Sequence, residues 1–264
     1  MKKILFVNQD TTPYVEENVL ANLGMMIPNK LQEAGNELRI IMPLYGVINE
    51  RRGQLHEVIR LSGMNLIIDE TDHPLIIKVA TIVGTRVQVY FIDNDDYFSK
   101  RQMAQNEKGE DYADNGERAI FFARGVLETV KKLRWVPDII HVQGWMSALV
   151  PLYIKTAYRE EPSFATTKVV TSLFPNGLKG NLSENFKRCI PYRDAKASLL
   201  KKYNDIFDFD ELCKLAIDYS DGVIAAKKDV SKDLMKYAAE SGKPTLAYPG
   251  EDFGAAYEDF YEKI

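Results

Sequence analysis

The sequence predicts an α/β fold: a doubly wound, mostly parallel sheet with helices on both faces and an added antiparallel hairpin. Short apolar runs typical of buried strands lie at Lys3–Asn8, Glu37–Met42, Ile139–Val142, Lys168–Ser172 and Gly222–Ala226. Segments with the apolar spacing of amphipathic helices lie between several of these runs. Strands that alternate with helices form parallel sheets, because each helix carries the chain back across a face of the sheet.

Two helices are the clearest elements between the strands. The first has apolar residues at helical spacing over residues 20–34, and Gly35 follows where a left-handed C-cap is needed. The second covers about Gly116–Leu133. Asp114 or Asn115, just before it, is expected to accept a hydrogen bond from the free N–H groups of the first turn.

The hairpin and two irregular segments complete the pattern. Residues 75–83 and 86–93 alternate around Gly84-Thr85, which predicts two antiparallel strands. Residues 98–112 and 178–205 are polar or mixed, with few periodic apolar positions. We expect both segments to be long surface excursions.

The composition is that of an ordinary globular domain. Of the 264 residues, 45% are hydrophobic and 27% are charged, which excludes a collagen-like or disordered chain. We therefore predict one domain over residues 1–264. The longest uncharged run, Ile139–Ile154, is interrupted by His141 and Gln143 and is too short to cross a bilayer, so we expect no membrane association.

The charge and the cysteines of the chain restrict the classes of binding partner and the cellular compartment. The formal net charge is −4 and both signs are mixed along the chain, which argues against a nucleic-acid partner. Cys189 and Cys213 have neither metal-ligand spacing nor a nearby histidine. His56 and His73 also lack partners at ligand spacing, so we expect no metal and no other cofactor. Free cysteines, and an N-terminus that is typical of a strand rather than a signal peptide, predict the cytoplasm.

The loops after the strands hold the candidate site, because ligands of doubly wound sheets bind beyond the carboxyl ends of the strands. The first such loop, Asn8–Asn18, contains no glycine, which excludes a P-loop or a dinucleotide fingerprint. It carries Asp10, Glu16 and Glu17 but no lysine or arginine. These carboxylates would repel a phosphate.

A stronger candidate site lies at the end of the run Ile139–Val142. It contains His141, Gln143 and Trp145, and a helix is predicted to begin there. His141 is either a catalytic group or a hydrogen-bonded core residue, and the sequence leaves both readings open. Trp145 either packs in the core or stacks on a sugar ring.

Several short segments, in a fixed order, carry a resemblance to a known family. They are Met42–Gly46, Val89–Asp93, Tyr97-Phe98, Asp111–Arg118, Pro137–His141, Ala148–Tyr153 and Lys214–Asp221. Together they resemble the N-terminal domain of bacterial glycogen synthases and plant starch synthases. The resemblance implies one Rossmann-like half of a GT-B fold. It also implies retaining transfer of glucose from ADP-glucose to the 4-hydroxyl of an α-1,4-glucan, without a metal.

The family's nucleotide-sugar motif is altered in this sequence. Lys-x-Gly-Gly-Leu aligns without gaps to Glu16–Leu20, so that a carboxylate replaces the lysine and Asn18 replaces a glycine. The aspartate that follows in the family becomes Asn22. The family's Thr-x-His-Asn corresponds to Thr171–Phe174, which lacks both polar groups.

The second family element is altered as well. In His-Asp-Trp, the first two residues align with Gln143 and Gly144, while Trp145 is retained and His141 matches a histidine two positions earlier. Gln143 can hydrogen-bond a sugar hydroxyl but cannot carry a proton. The residues considered as substrate-binding candidates are Asn18, Asn22, Asp114, Asn115, His141, Gln143 and Trp145. For Asp114, Asn115 and Gln143, helix capping and a buried amide are the structural alternatives.

The resemblance covers only the first of the family's two domains. We therefore expect a chain without the C-terminal nucleotide-binding domain. On this interpretation it binds α-glucan and ADP-glucose but is inactive alone, and a separate chain or a homo-oligomer supplies the other half of the cleft. The alternative is a non-catalytic glucan-binding or regulatory module. The C-terminal residues Tyr257–Ile264 have helical apolar spacing and either dock a partner or close the core.

Overall fold

The computed structural model describes residues 1–250 and 253–264, and its strands and helices alternate as the sequence predicts. The strands are β1 (Lys3–Asn8), β2 (Glu37–Pro43), β3 (His56–Glu57), β4 (Met64–Ile68), β5 (Thr71–Thr81), β6 (Gln88–Asp93), β7 (Ile139–Gln143), β8 (Lys168–Leu173), β9 (Gly222–Ala225) and β10 (Thr245–Leu246). The helices are α1 (Val19–Glu33), α2 (Asn115–Leu133), α3 (Val150–Lys155), α4 (Phe186–Cys189), α5 (Phe209–Tyr219), α6 (Lys232–Glu240) and α7 (Phe253–Tyr261).

One mixed sheet organises the molecule, with strand order β10-β9-β8-β7-β1-β2-β6-β5-β3. From β10 to β6 all neighbouring strands are parallel. The chain fills the β2 side of β1 first and then crosses to the other side at β7, so the winding direction reverses between β1 and β7. The predicted doubly wound α/β fold is confirmed.

The predicted hairpin is also present, at one edge of the parallel strands. β5 pairs antiparallel with β6, and Gly84 in the connection has a φ of +81°, a conformation that favours glycine. β4, which pairs antiparallel with β5, was not predicted. It was missed because it is short and its apolar Ile67 is largely exposed, which breaks the simple alternation.

The C-terminal end of the first helix agrees with the prediction, and the structure adds a cap at its N-terminal end. The Asn18 side chain accepts a hydrogen bond from the backbone N–H of Ala21 and so caps the N-terminus of α1. At the other end Gly35 has a φ of +97°, as expected for a left-handed C-cap.

The predicted cap of α2 is wrong. Asp114 precedes the helix but makes no side-chain hydrogen bond to its N–H groups. Its carboxylate instead accepts two hydrogen bonds from the guanidinium of Arg101. In one of them Nη2 of Arg101 lies 2.8 Å from Oδ1 of Asp114. Asn115 accepts from Nη1 of the buried Arg118. In both cases a charged guanidinium is the donor, bidentate for Asp114 and single for Asn115, so the arginines hold these side chains away from the free N–H groups of the first turn.

The two segments expected as surface excursions behave differently. Residues 98–112 are irregular and partly exposed. The prediction for residues 178–205 is partly wrong, since Leu182, Phe186 and Ile190 from this segment are buried in the core. These three residues recur every fourth position, a spacing compatible with a helix, but only Phe186–Cys189 of this stretch is helical and most of the segment is irregular.

The C-terminal helix α7 closes the core. Tyr257, Phe260 and Tyr261 are at most 5% exposed, and the ring of Tyr257 stacks on His141 in β7 with the centroids 5.7 Å apart. Of the two readings of this segment, the structure shows core packing. Among the helices of the described residues, none is both long and apolar enough to span a bilayer.

Candidate functional site

The point where the winding reverses forms the centre of the candidate site. The backbone N–H of Gln9, just after β1, donates to the carbonyl of Gln143 at the end of β7, with N and O 3.0 Å apart. Gly144 has a φ of +87°, and a Cβ at this position would lie only 2.6 Å from Cβ of Gln9. Glycine is therefore required for the loops to approach each other here.

A cavity of about 450 Å³ opens above this point, beyond the carboxyl ends of β1, β7, β8 and β9, and we call it the switch-point cavity. Its lining is largely apolar, with a few polar groups at its edge. The lining residues include Gln9, Asn18, Trp145, Phe174, Phe209, Lys227 and Asp229. Concave, mainly apolar pockets of this size with few polar groups are typical ligand sites.

A wider cleft of about 1200 Å³ adjoins the cavity, and we call it the outer cleft. Asn176 and Gly177 line both, so the two spaces share one wall. The outer cleft is rich in amide side chains. Its polar and aromatic lining includes Tyr14, Glu16, Asn49, Arg52, Gln105 and Lys179.

His141 is a core residue. Its ring is fully buried, and Nδ1 is 2.5 Å from the Tyr261 hydroxyl while Nε2 is 2.6 Å from Oγ of Ser172. The ring also stacks on Phe6 with the centroids 4.9 Å apart. Burial lowers the pKa of His141 to about 3, so the imidazole is neutral at physiological pH. It lines neither the cavity nor the cleft.

Gln143 and Trp145 lie at the floor of the site. Gln143 is fully buried, and neither its amide oxygen nor its amide nitrogen has a hydrogen-bond partner among the described residues. Trp145 lines the switch-point cavity and is 2% exposed, and its indole Nε1 is likewise unpartnered. Both readings of Trp145 thus have a basis, since the ring is packed and also forms part of the cavity wall.

The other sequence candidates divide into two groups. Asn18 lines the switch-point cavity in addition to capping α1. Asn22, on the next turn of α1, is half-buried and lines neither space. Asp114 and Asn115 are held by arginines and line neither space. Of the seven candidates, the structure therefore brings Asn18 and Trp145 to the cavity, with Gln143 adjacent to Gly144 in its wall.

Two groups at this site were not identified as candidates from the sequence. Asp10 is 4% exposed, and burial raises the pKa of its carboxyl to about 7. Its Oδ2 accepts a weak hydrogen bond, 3.4 Å long, from Asn18, and Oδ1 is unpartnered. Lys227 follows β9 by two residues and lines the cavity. Both lie just beyond a strand, which was the signal available in the sequence.

No metal centre is formed by the described residues, in which no cluster of three or more His, Cys, Asp or Glu side chains has the geometry to hold an ion.

A doubly wound sheet with a ligand-sized cavity where its winding reverses defines the class of α/β ligand-binding domains. The model of the starch synthase catalytic domain family matches residues 3–246, and the chain belongs to this family. The family resemblance noted in the sequence is thus confirmed.

Individual relatives agree with this assignment. The glycogen synthase of Chlorobium luteolum is 39% identical over 172 residues, which are 65% of this chain and 35% of the relative. That of Chlorobium phaeobacteroides is 35% identical over 205 residues, 77% of this chain and 42% of the relative. The chain therefore spans only about two fifths or less of the length of these relatives.

A solved structure shows the same fold. The catalytic domain of starch synthase IV from Arabidopsis thaliana, bound to ADP and acarbose, superposes with a TM-score of 0.76 at 18% identity. The match covers 94% of this chain and 51% of that one, so this chain corresponds to about half of a GT-B structure.

Proposed function

We propose that this chain is one half of a glucosyltransferase that moves glucose from ADP-glucose to an α-1,4-glucan, and that it is inactive without the other half. The observation that carries the proposal is the pair of adjoining spaces at the carboxyl edge of the sheet, a ligand-sized cavity opening beside a wide cleft. Family membership and the ADP and acarbose bound by the Arabidopsis structure support the choice of substrates.

The lining of the outer cleft supports a glucan as one substrate. Asn49, Gln105 and Asn176 present amides, which both donate and accept hydrogen bonds as sugar hydroxyls do. Tyr14 adds an aromatic side chain, and the volume of about 1200 Å³ is above the range of typical small-ligand pockets.

The charges of the chain support the need for a second half. Transfer from a sugar nucleotide leaves a diphosphate, which must be stabilised by positive charge or by oriented N–H donors. The loop after β1 offers Glu16 and Glu17 and no positive charge, and in the outer cleft Glu16 opposes the positive charges of Arg52 and Lys179. We propose that the remaining stabilisation comes from the other half, whether it lies on the same polypeptide, a separate chain or a second copy. We also propose a cytoplasmic location.

The test is incorporation of labelled glucose from ADP-glucose into glycogen. We expect no elongation by the 264-residue chain alone and measurable elongation when the other half is supplied, for example as the C-terminal part of the Chlorobium luteolum relative. Elongation by the isolated chain at the rate of an intact relative would refute the half-enzyme proposal.

The second candidate is a glucan-binding or regulatory module, favoured by the carboxylates in the loop after β1. Calorimetric titration with maltoheptaose distinguishes it. Binding of maltoheptaose together with failure to elongate under every condition would support the module. In both cases Asn176→Ala should weaken glucan binding, because Asn176 lines both spaces. Asn29→Ala, on α1 and outside both spaces, is the matched control.

A further inference from the structure

We propose that His73 is a pH-sensitive tie between β5 and the π-helical turn Asp95–Ser99, which follows β6. In the neutral imidazole Nδ1 carries no hydrogen and leaves the turn unfastened at this point. In the protonated imidazole Nδ1–H pairs with the carboxylate of Asp96 and fastens the turn to β5. The tie involves contacts within the chain only, so it holds or fails independently of the proposed function.

His73 is in contact with three elements at once. Its side chain is only 11% exposed. The ring of Tyr97, in the turn, packs against it with the centroids 4.4 Å apart, and the ring of Phe121, in α2, has its centroid 6.3 Å away. Nε2 is 2.8 Å from Oγ1 of Thr71, in β5, and 3.0 Å from the hydroxyl oxygen of Tyr97. The imidazole therefore joins β5, the turn and α2.

The two hydroxyl groups next to Nε2 determine which nitrogen carries the hydrogen. The hydroxyl of Thr71 donates to the carbonyl of Ile68 at 2.8 Å, and the hydroxyl of Tyr97 donates to Oε2 of Glu117 at 3.0 Å. A hydroxyl has one hydrogen, so both oxygens can only accept a hydrogen bond from the imidazole. Nε2 must then be the donor, and in the neutral ring Nδ1 of His73 is a bare acceptor.

The surroundings of Nδ1 suit a second hydrogen. Nδ1 is buried without a hydrogen-bond partner among the described residues, and Oδ2 of Asp96 lies 3.5 Å from it. A lone pair and a carboxylate repel each other, whereas an N–H and a carboxylate form a charge-assisted hydrogen bond. The side chain of Asp96 is 71% exposed, so it can rotate to shorten this distance. Protonation of His73 breaks no existing hydrogen bond, because Nε2 donates in both forms.

The groups that face the ring are mainly carboxylates. The turn contributes Asp96 and the hydroxyl of Tyr97, and α2 contributes Glu117, which reaches the ring through that hydroxyl. β4 places the apolar Leu66 opposite His73. The charged groups further out have partners of their own: Asp95 is paired with Lys100, Asp114 with Arg101, and Arg118 donates to the backbone carbonyl of Tyr97. A positive charge on His73 is therefore attracted by two carboxylates.

The tie acts on a segment that lines the outer cleft. Residues 102–106 follow the turn directly and form part of that lining. Protonation of His73 should therefore reduce local opening of residues 95–106, while the parallel strands are unaffected.

The first measurement uses the unaltered 264-residue chain. It has three histidines, so two-bond ¹H–¹⁵N correlation spectra resolve every imidazole, and comparison with His73→Gln identifies the signals of His73. At pH 8 we expect the neutral form with the hydrogen on Nε2. A neutral form with the hydrogen on Nδ1 would overturn the proposal, and this result does not depend on the folding of any variant.

The second measurement is hydrogen exchange of residues 95–106 by mass spectrometry at pH 7.5 and pH 5.5, corrected for intrinsic exchange rates. Histidines change charge in this range. Relative to the parallel strands, the segment should be protected about threefold more at pH 5.5, the size expected of a partly exposed ion pair. Asp96→Asn should abolish this gain, because an amide carries no charge.

Asp95→Asn is the matched control for Asp96→Asn. It removes the same charge from the same turn, but Asp95 is paired with Lys100 and not with His73. The control should keep the threefold gain at pH 5.5. No gain in the parent, an equal gain in the parent and Asp96→Asn, or loss of the gain in Asp95→Asn would each overturn the proposal. Glucan binding and elongation test the proposed function separately.

Discussion

Acid should destabilise this protein through His141, a residue that is neutral because it is buried. The pKa of His141 falls from 6.5 in an exposed histidine to about 3 in the folded chain. Between these two values the unfolded state binds a proton that the folded state does not, so stability is lost as the pH falls below 6.5. Each pH unit in this window is worth about 1.4 kcal/mol, and lowering the pH to 5 removes about 2 kcal/mol from this residue alone.

The assay is urea unfolding followed by circular dichroism at pH 7.5 and pH 5, for the parent and for His141→Gln. The glutamine retains an amide that can meet Ser172 or Tyr261 but cannot titrate. The variant is expected to be less stable at both pH values, because packing against Phe6 is lost. The informative quantity is the loss of stability between the two pH values, which should be smaller in the variant by about 2 kcal/mol.

His56→Gln is the control, since His56 lies exposed in the two-residue strand β3. The free energy of unfolding of His56→Gln should change with pH as that of the parent does. Other titrating groups contribute equally to all three proteins and cancel in the comparison. An identical pH response of His141→Gln and the parent would show that His141 is not held neutral by burial, and the reasoning would be wrong.

Three further changes probe the site and its support. The pKa of Asp10 is about 7 in the folded chain and 3.8 in an exposed aspartate, so the parent should lose about 3 kcal/mol of its free energy of unfolding between pH 5 and pH 8, as the pH rises towards the folded value. Asp10→Asn should abolish this loss, which urea unfolding midpoints at the two pH values measure. Gly144→Ala should cost about 3 kcal/mol in thermal unfolding, because of its positive φ and the close Gln9 side chain. Arg118→Met should cost about 3 kcal/mol or more in urea, because it removes the donor to the carbonyls of Tyr97 and Gln102 and to the amide oxygen of Asn115; Arg118→Lys should recover only part of this loss.

The parallel part of the fold was predictable because its signals are local. β1 and β2 are nearly continuous apolar runs, buried on both faces, and such runs are read from a few neighbouring residues. The edge strand β4 depends on pairing with β5 and leaves Ile67 60% exposed, so its sequence alone does not identify it. Pairing with β5, and not the local sequence, therefore determines that this short strand forms.

Side-chain roles were less predictable than elements, because their partners are distant in sequence. The Arg101 side chain takes Asp114 away from the helix it precedes, a contact that no pattern within the helix reveals. His141 forms a buried hydrogen bond with the hydroxyl of Tyr261, which is 120 residues away in the sequence. Lys227 differs from these residues, because it lies just beyond the carboxyl end of β9 and the rule that points to the loops after β1 and β7 points to it as well.

The burial of Asp10 changes what the loop after β1 offers to a ligand. Counted in the sequence, this loop carries three carboxylates and should repel a diphosphate. In the folded chain Glu16 lies on the outer cleft, and Asp10 is largely protonated below a pH of about 7, so it contributes little negative charge there. The lining charges of the switch-point cavity are then Lys227 and Asp229, which oppose each other. Whether the cavity accepts an anion is therefore decided at the end of β9 and not in the loop after β1.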